Sequence, residues 1–140
     1  MAKLSITDFI MRTSNGQTHA PEGSNITIAE WSAEGTLNGE TPMLMAPLHL
    51  HYEDDEAWFI LEGTLGFQIG DEKIEANQNE AVIVPRGTPH TFWNPKQETA
   101  RYLIIMNKQT QELIDAIHKT SDRSPEMMKN LFKQYRAELL

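Results

Sequence analysis

The chain has 140 residues, a net charge of −8 and no cysteine. That length makes one domain with a core of useful size. The acidic balance argues against a nucleic-acid partner, which would want a basic stripe, and the missing thiols exclude disulfides and thiolate metal sites. The run from Met1 to Arg12 is broken by Ser5, Thr7 and Asp8 and reads as a poor signal peptide. No stretch approaches the ~18 apolar residues of a spanning helix. A cytoplasmic protein with no membrane partner is expected.

Up to residue 108 the chain reads as short strands between turn signals. Asn15-Gly16, Pro21 to Gly23, Glu34-Gly35, Asn38-Gly39, Glu62-Gly63, Gly70-Asp71, Pro85 to Gly87 and Asn94-Pro95 are the main ones. Between them, strands are expected over 26–31, 45–51, 57–61, 65–69, 73–76, 81–84, 91–93 and 101–106. Many short strands at this spacing suggest a sandwich or barrel. From 109 to 140 the pattern changes. Leu113, Ile114 and Ile117 share one helical face, with Thr110 as N-cap. Ser124-Pro125-Glu126 is a strong helix start: a capping hydroxyl, proline in the first turn, then an acid near the positive end of the dipole. Met127, Met128, Leu131, Phe132, Tyr135 and Leu139 follow at helical spacing. The expected organisation is a β domain over 1–108 and a helical extension over 109–140 packed on it. The methionine-bearing face of the second helix is a candidate cover for a cavity mouth.

Chemistry concentrates in two short stretches. His49 and His51 lie two apart on an expected strand, so their side chains share a face with Cα atoms roughly 6.5 Å apart. Glu56 opens the following strand and would sit beside them if the two strands pair. His90 follows a Pro-x-Gly turn and would approach from the opposite side. Three imidazoles and one carboxylate suit a borderline divalent metal and leave positions open in an octahedral shell, as catalytic sites require. Alone, each residue is more often a surface, turn or packing residue; the conjunction with fixed glycines and prolines carries the signal.

That conjunction resembles the cupin superfamily. The first family motif, G-x5-H-x-H-x3or4-E-x6-G, is met by His49, His51, Glu56 and Gly63, with Met43 in place of the opening glycine. The second, G-x5-P-x-G-x2-H-x3-N, is met by Pro85, Gly87, His90 and Asn94, with Asn79 in place of the glycine. Asn79 can itself adopt a left-handed conformation. The resemblance implies an all-β fold, a small jelly-roll-like β-barrel, with motifs at 43–63 and 79–94 and two amphipathic helices after it. It also implies one divalent metal ion per chain (Fe, Mn, Ni, Cu or Zn) held by His49, His51, Glu56 and His90, and a homodimer.

Strand parity then gives a candidate substrate pocket. Met45, Trp58 and Phe92 lie two or four residues from a ligand and face the same way. Phe67 and Tyr102 are further candidates, whereas Ile60 reads as plain core. Such a lining favours an aromatic or modestly polar small molecule over a sugar phosphate. Arg86 reads as an exposed turn residue, and His19 and His118 as surface residues. The resemblance implies a dioxygenase-like oxidoreductase in which Glu56 also takes a substrate proton. The alternatives are a metal-assisted isomerase, lyase or decarboxylase, and a non-enzymatic small-molecule-binding module. Because ligation needs neutral imidazole, metal loss is expected as pH falls through roughly 6 to 4.

Overall fold

The computed structural model describes residues 5–12 and 16–140, so Asn15 of the first expected turn lies outside the described residues. A 3₁₀ turn over Ile6–Phe9 precedes β1 (Thr18–His19), β2 (Ile26–Ala33), β3 (His49–His51), β4 (Glu56–Glu62) and β5 (Thr64–Ile69). Then come β6 (Glu72–Asn77), β7 (Ala81–Val84), β8 (His90–Trp93), β9 (Ala100–Asn107), α1 (Lys108–Lys119), α2 (Pro125–Gln134) and β10 (Ala137–Leu139). The strands form two five-stranded sheets, in the orders β1-β2-β9-β4-β7 and β10-β3-β8-β5-β6. Most neighbours are far apart in sequence, as in a jelly roll. The expected all-β architecture is present as two packed sheets; no strand pairing among the described residues closes them into a cylinder.

One apolar core joins the sheets because each strand alternates. In β9, Ala100, Tyr102, Ile104 and Met106 are buried while the residues between them are not. They meet Trp58 and Ile60 of β4, Leu65 and Phe67 of β5, and Phe92 of β8. The aromatics interlock: Phe67 stacks on Phe92 with centroids 5.8 Å apart, and Trp58 stands edge-on to Phe67 at 5.3 Å. Each such burial contributes about 1.5–3 kcal/mol. The edge strand β6 carries Glu72, Lys73 and Glu75, charges that discourage pairing with another chain.

Three elements depart most from their expected bounds, and β1 was not expected. The strand expected over 45–51 pairs as β3 only from His49, because Pro47 has no N–H to give the ladder; before it, Leu44 makes an isolated bridge to Trp93. α1 starts at Lys108 with Asn107 as its N-cap residue, not at Thr110, whose hydroxyl is engaged elsewhere. α2 stops at Gln134: Arg136 turns left-handed (φ 59°), and Leu139, expected to continue the helix, pairs with His49 in β10. The 109–140 segment thus returns a strand to the sheet that carries the histidines. Asn79 takes the left-handed conformation its side chain tolerates (φ 71°), doing the work of the glycine it replaces. No helix among the described residues is long and apolar enough to cross a membrane.

Candidate metal centre

His49 and His51 project inward from β3 and are buried. The other two residues arrive by routes opposite to those expected. β3 pairs with β8, and His90 is the register partner of His49. Glu56 begins β4 in the other sheet, so it does not sit beside the histidine pair by hairpin pairing. The polar turn Tyr52 to Asp55 is a crossing between sheets. Three imidazoles therefore line one sheet, and the carboxylate meets them across the core.

The ligand-type atoms of the four residues lie within 4.8 Å of one another, and all four residues are buried. His90 Nε2 is 3.0 Å and His51 Nε2 3.3 Å from Glu56 Oε1, and His49 Nε2 is 3.2 Å from His51 Nε2. Backbone carbonyls fix two of the rings. His49 Nδ1–H donates to Pro47 O at 2.6 Å, and His90 Nδ1–H donates to Thr88 O at 2.9 Å. A proton on Nδ1 leaves the Nε2 of a neutral ring with the lone pair that a bound cation would take; without a cation, the 3.0 Å contact between His90 Nε2 and Glu56 Oε1 is a hydrogen bond in which the ring N–H donates to the carboxylate. Carbonyl-oriented imidazoles of this kind accompany metal ligation generally. The donor set fits a divalent cation of borderline softness.

The charges agree. Burial pushes His49 down, and the neighbouring charge of His90 adds to it, giving a pKa of about 4; the ring is neutral at pH 7, as a ligand must be. Burial alone would raise Glu56, but hydrogen bonds from His51 and His90 outweigh it and hold the carboxyl at about 2. Its Oε2 accepts no hydrogen bond among the described residues.

Asp54, two residues before Glu56, was not singled out by the sequence reading. It is buried, and its carboxylate accepts from Asn107 Nδ2 at 2.8 Å and from Thr110 Oγ1 at 2.9 Å. This ties the start of α1 to the turn that delivers Glu56. Only the run Glu53-Asp54-Asp55 hinted at it, and such runs are usually solvated.

A cavity of about 590 Å³ opens on the cluster. Met45, Trp58, Phe92 and Tyr102 line it, as do Leu113, Ile114 and Ile117 of α1 and Met128 and Phe132 of α2. Phe132 stands edge-on to His49 at 5.5 Å. Phe67 does not line the cavity; it sits behind the wall, against Trp58 and Phe92. Ile60 is core. Tyr102 is raised well above the ordinary phenol value, chiefly by burial and then by Glu56, and its hydroxyl makes no hydrogen bond among the described residues. His118 and Arg123 also line the cavity, neither of which the sequence reading placed there. Arg86 is exposed and paired with Asp55, and Arg101 pairs with Glu30 and Glu62, so neither enters the pocket. His19 is on β1, paired opposite Ile28.

Comparison with known proteins agrees with this geometry. Residues 42–106 match the family model described as Cupin domain. The chain is 35% identical over 69 residues to a protein named Oxidoreductase iacF from Pestalotiopsis fici, covering 45% of this chain and 34% of that protein. It spans about a third of the length of the curated relatives it matches. Among solved structures, it resembles a sugar phosphate isomerase from Silicibacter pomeroyi (TM-score 0.52, 20% identity, 61% of this chain and 52% of that one). It also resembles a cupin-2 domain containing protein from Shewanella frigidimarina (TM-score 0.51, 20% identity, 71% of this chain and 94% of that one). At such identity the structural likeness speaks for the fold alone. The two motifs, the paired antiparallel sheets and the family match identify a cupin domain over residues 42–106 of this chain.

Proposed function

We propose that the chain is a metal-dependent, dioxygenase-like oxidoreductase acting on a small, largely apolar organic substrate. The observation that carries the reading is the buried convergence of His49, His51, His90 and Glu56, whose ligand-type atoms lie within 4.8 Å of one another. A redox-active divalent metal held there supplies open coordination positions for oxygen chemistry. The relative named an oxidoreductase supports the reaction class.

The chain's own residues then divide the work. Met45, Trp58 and Phe92 bind and orient the substrate's apolar body and exclude water. Tyr102, protonated at neutral pH, offers its free hydroxyl as a donor beside Glu56. Glu56 would help hold such a metal together with His49, His51 and His90, and its carboxylate would accept a substrate proton. Residues 1–108 form the working domain, and 109–140 wall its cavity. An isomerase acting on sugar phosphates would want several hydroxyl partners and cations deep in the pocket, which the apolar lining does not offer. The reading includes a cytoplasmic homodimer, with exposed Ile6, Phe9 and Ile10 as apolar surface for the contact.

The test is oxygen uptake. Protein loaded in turn with Fe(II), Mn(II), Ni(II) or Cu(II) is mixed with a panel of small aromatic and apolar substrates. Uptake matched to substrate loss, and abolished in His51→Ala, is expected. Substrate conversion without oxygen uptake would move the assignment to lyase or isomerase chemistry. Sedimentation as a monomer at micromolar concentration would remove the dimer.

A further inference from the structure

The cavity has two chemically different ends. Its deep end holds the histidine and glutamate cluster. Its other ionisable lining residues besides Tyr102 are His118, near the end of α1, and Arg123, in the link to α2. Among the described residues, Glu56 is the sole acid that lines it. Arg123 has no ion pair or hydrogen bond among the described residues, unlike Arg86 and Arg101, which carboxylates engage. Arg136 also has no ion pair among the described residues, but it does not line the cavity, whereas Arg123 does. His118 stands beside Trp31, with ring centroids 6.0 Å apart, and Trp31 lines the same cavity. Both His118 and Arg123 are solvent-exposed, so they belong to the mouth.

We infer that Arg123, assisted by His118, is an anion-recognising subsite at the cavity mouth, and that the pocket selects a small amphipathic carboxylate. The acid's apolar body lies along Ile114, Ile117 and Met128, and its carboxylate is turned outward to the guanidinium, whose planar fork matches two oxygens. The neutral, reactive part of the molecule is then left facing the cluster. The inference deepens the proposed function and rests on it in taking this cavity as the substrate site. It distinguishes the pocket from one for neutral aromatics, which would gain nothing from a cation at the rim.

The experiment uses 3-phenylpropanoate and its uncharged amide as probes. Binding is followed by calorimetry and by the fluorescence of Trp31 and Trp58, on the full chain loaded with zinc to silence redox chemistry. Wild-type protein is expected to bind the acid roughly three- to tenfold more tightly than the amide, as one partly solvated charge-assisted contact allows. Arg123→Gln removes that preference while leaving amide affinity and thermal stability unchanged; Arg123→Lys keeps part of it. Equal affinity for acid and amide in the wild type overturns the inference, as does failure of the acid to bind up to its solubility limit. An acid preference that survives Arg123→Gln but disappears without zinc places the carboxylate at the metal and overturns it too. The same titrations on a His49→Ala/His51→Ala variant separate the two readings: an Arg123-dependent preference that persists there, in a protein that takes up no metal, upholds the subsite while the metalloenzyme assignment falls.

Discussion

Glu56 Oε1 lies 3.0 Å from His90 Nε2 although the two residues begin strands in different sheets. The cluster is thus assembled by sheet-to-sheet packing and not by a local hairpin. Its integrity reports on the core, and its ligands act as a pin across it.

Glu56→Gln keeps the shape and removes the charge. Zinc affinity, measured by competition with a chromophoric chelator, is expected to fall by at least roughly a hundredfold, beyond the loss typical when residues supporting a ligand are changed. Metal content by elemental mass spectrometry falls from one ion per chain to traces. Wild-type affinity in this variant would remove Glu56 from the ligand set.

Acid destabilises the metal-free protein in two successive windows. Free histidine titrates near 6.5, but His49 in the fold does so only at about 4. Between those values the unfolded chain binds the extra proton, so stability is complete above about pH 6.5 and declines by about 3 kcal/mol as pH falls to about 4. Glu56, held at about 2 against an ordinary 4.5, adds stability that is complete above 4.5 and lost as pH falls toward 2. Urea unfolding at stepped pH shows both, and His49→Gln flattens the upper one. A stability curve flat from pH 7 to 4 in the wild type would contradict a buried neutral His49.

Asp54→Ala leaves Thr110 and Asn107 without their acceptor at the root of α1. Calorimetry should show a loss of about 1–3 kcal/mol, the range for orphaned buried donors. Metal affinity should drop as well, because the turn carrying Glu56 is freed. A loss of stability with unchanged metal affinity would mean that the turn holds Glu56 without the helix.

Gly66→Ala tests the packing of β5 on β8. A Cβ there would come within 2.5 Å of Trp93 Cε2, forcing the indole outward at a cost of about 1–3 kcal/mol. Trp93 fluorescence should shift with the loss. Gly70→Ala is the control: a Cβ meets nothing within 4 Å, and only its left-handed φ of 60° is strained.

Much of this was readable in the chain. Alternation placed Met45, Trp58 and Phe92 on the inner face, because a strand's side-chain period is fixed at two; it did not fix the facing of Tyr102, which lines the cavity as well. His49, His51, Glu56 and His90 were recoverable from residue type and spacing. Which strand neighbours which was not, since pairing partners here lie far apart in sequence and a short polar turn reads alike as a hairpin or as a crossing. That is why Glu56 and His90 exchanged places. Leu139 was misread because two residues in a helical pattern carry little information once Arg136 turns left-handed. Arg123 and His118 went unnoticed at the mouth because nothing in sequence ties an inter-helix link to a pocket built mainly a long way upstream.

β10 has a consequence for the life of the chain on the ribosome. It pairs Ala137 with His51 and Leu139 with His49, and it is the outer neighbour of the strand bearing both imidazoles. Until residue 139 has emerged, that three-residue strand has one bare edge and Phe132 has not closed over His49. At roughly 5–20 residues per second, synthesis therefore separates the making of the first ligands from the sealing of their site by several seconds. During that interval the imidazoles of His49 and His51 stand on a strand whose outer edge is open to solvent, and the last residues made are the ones that cover it.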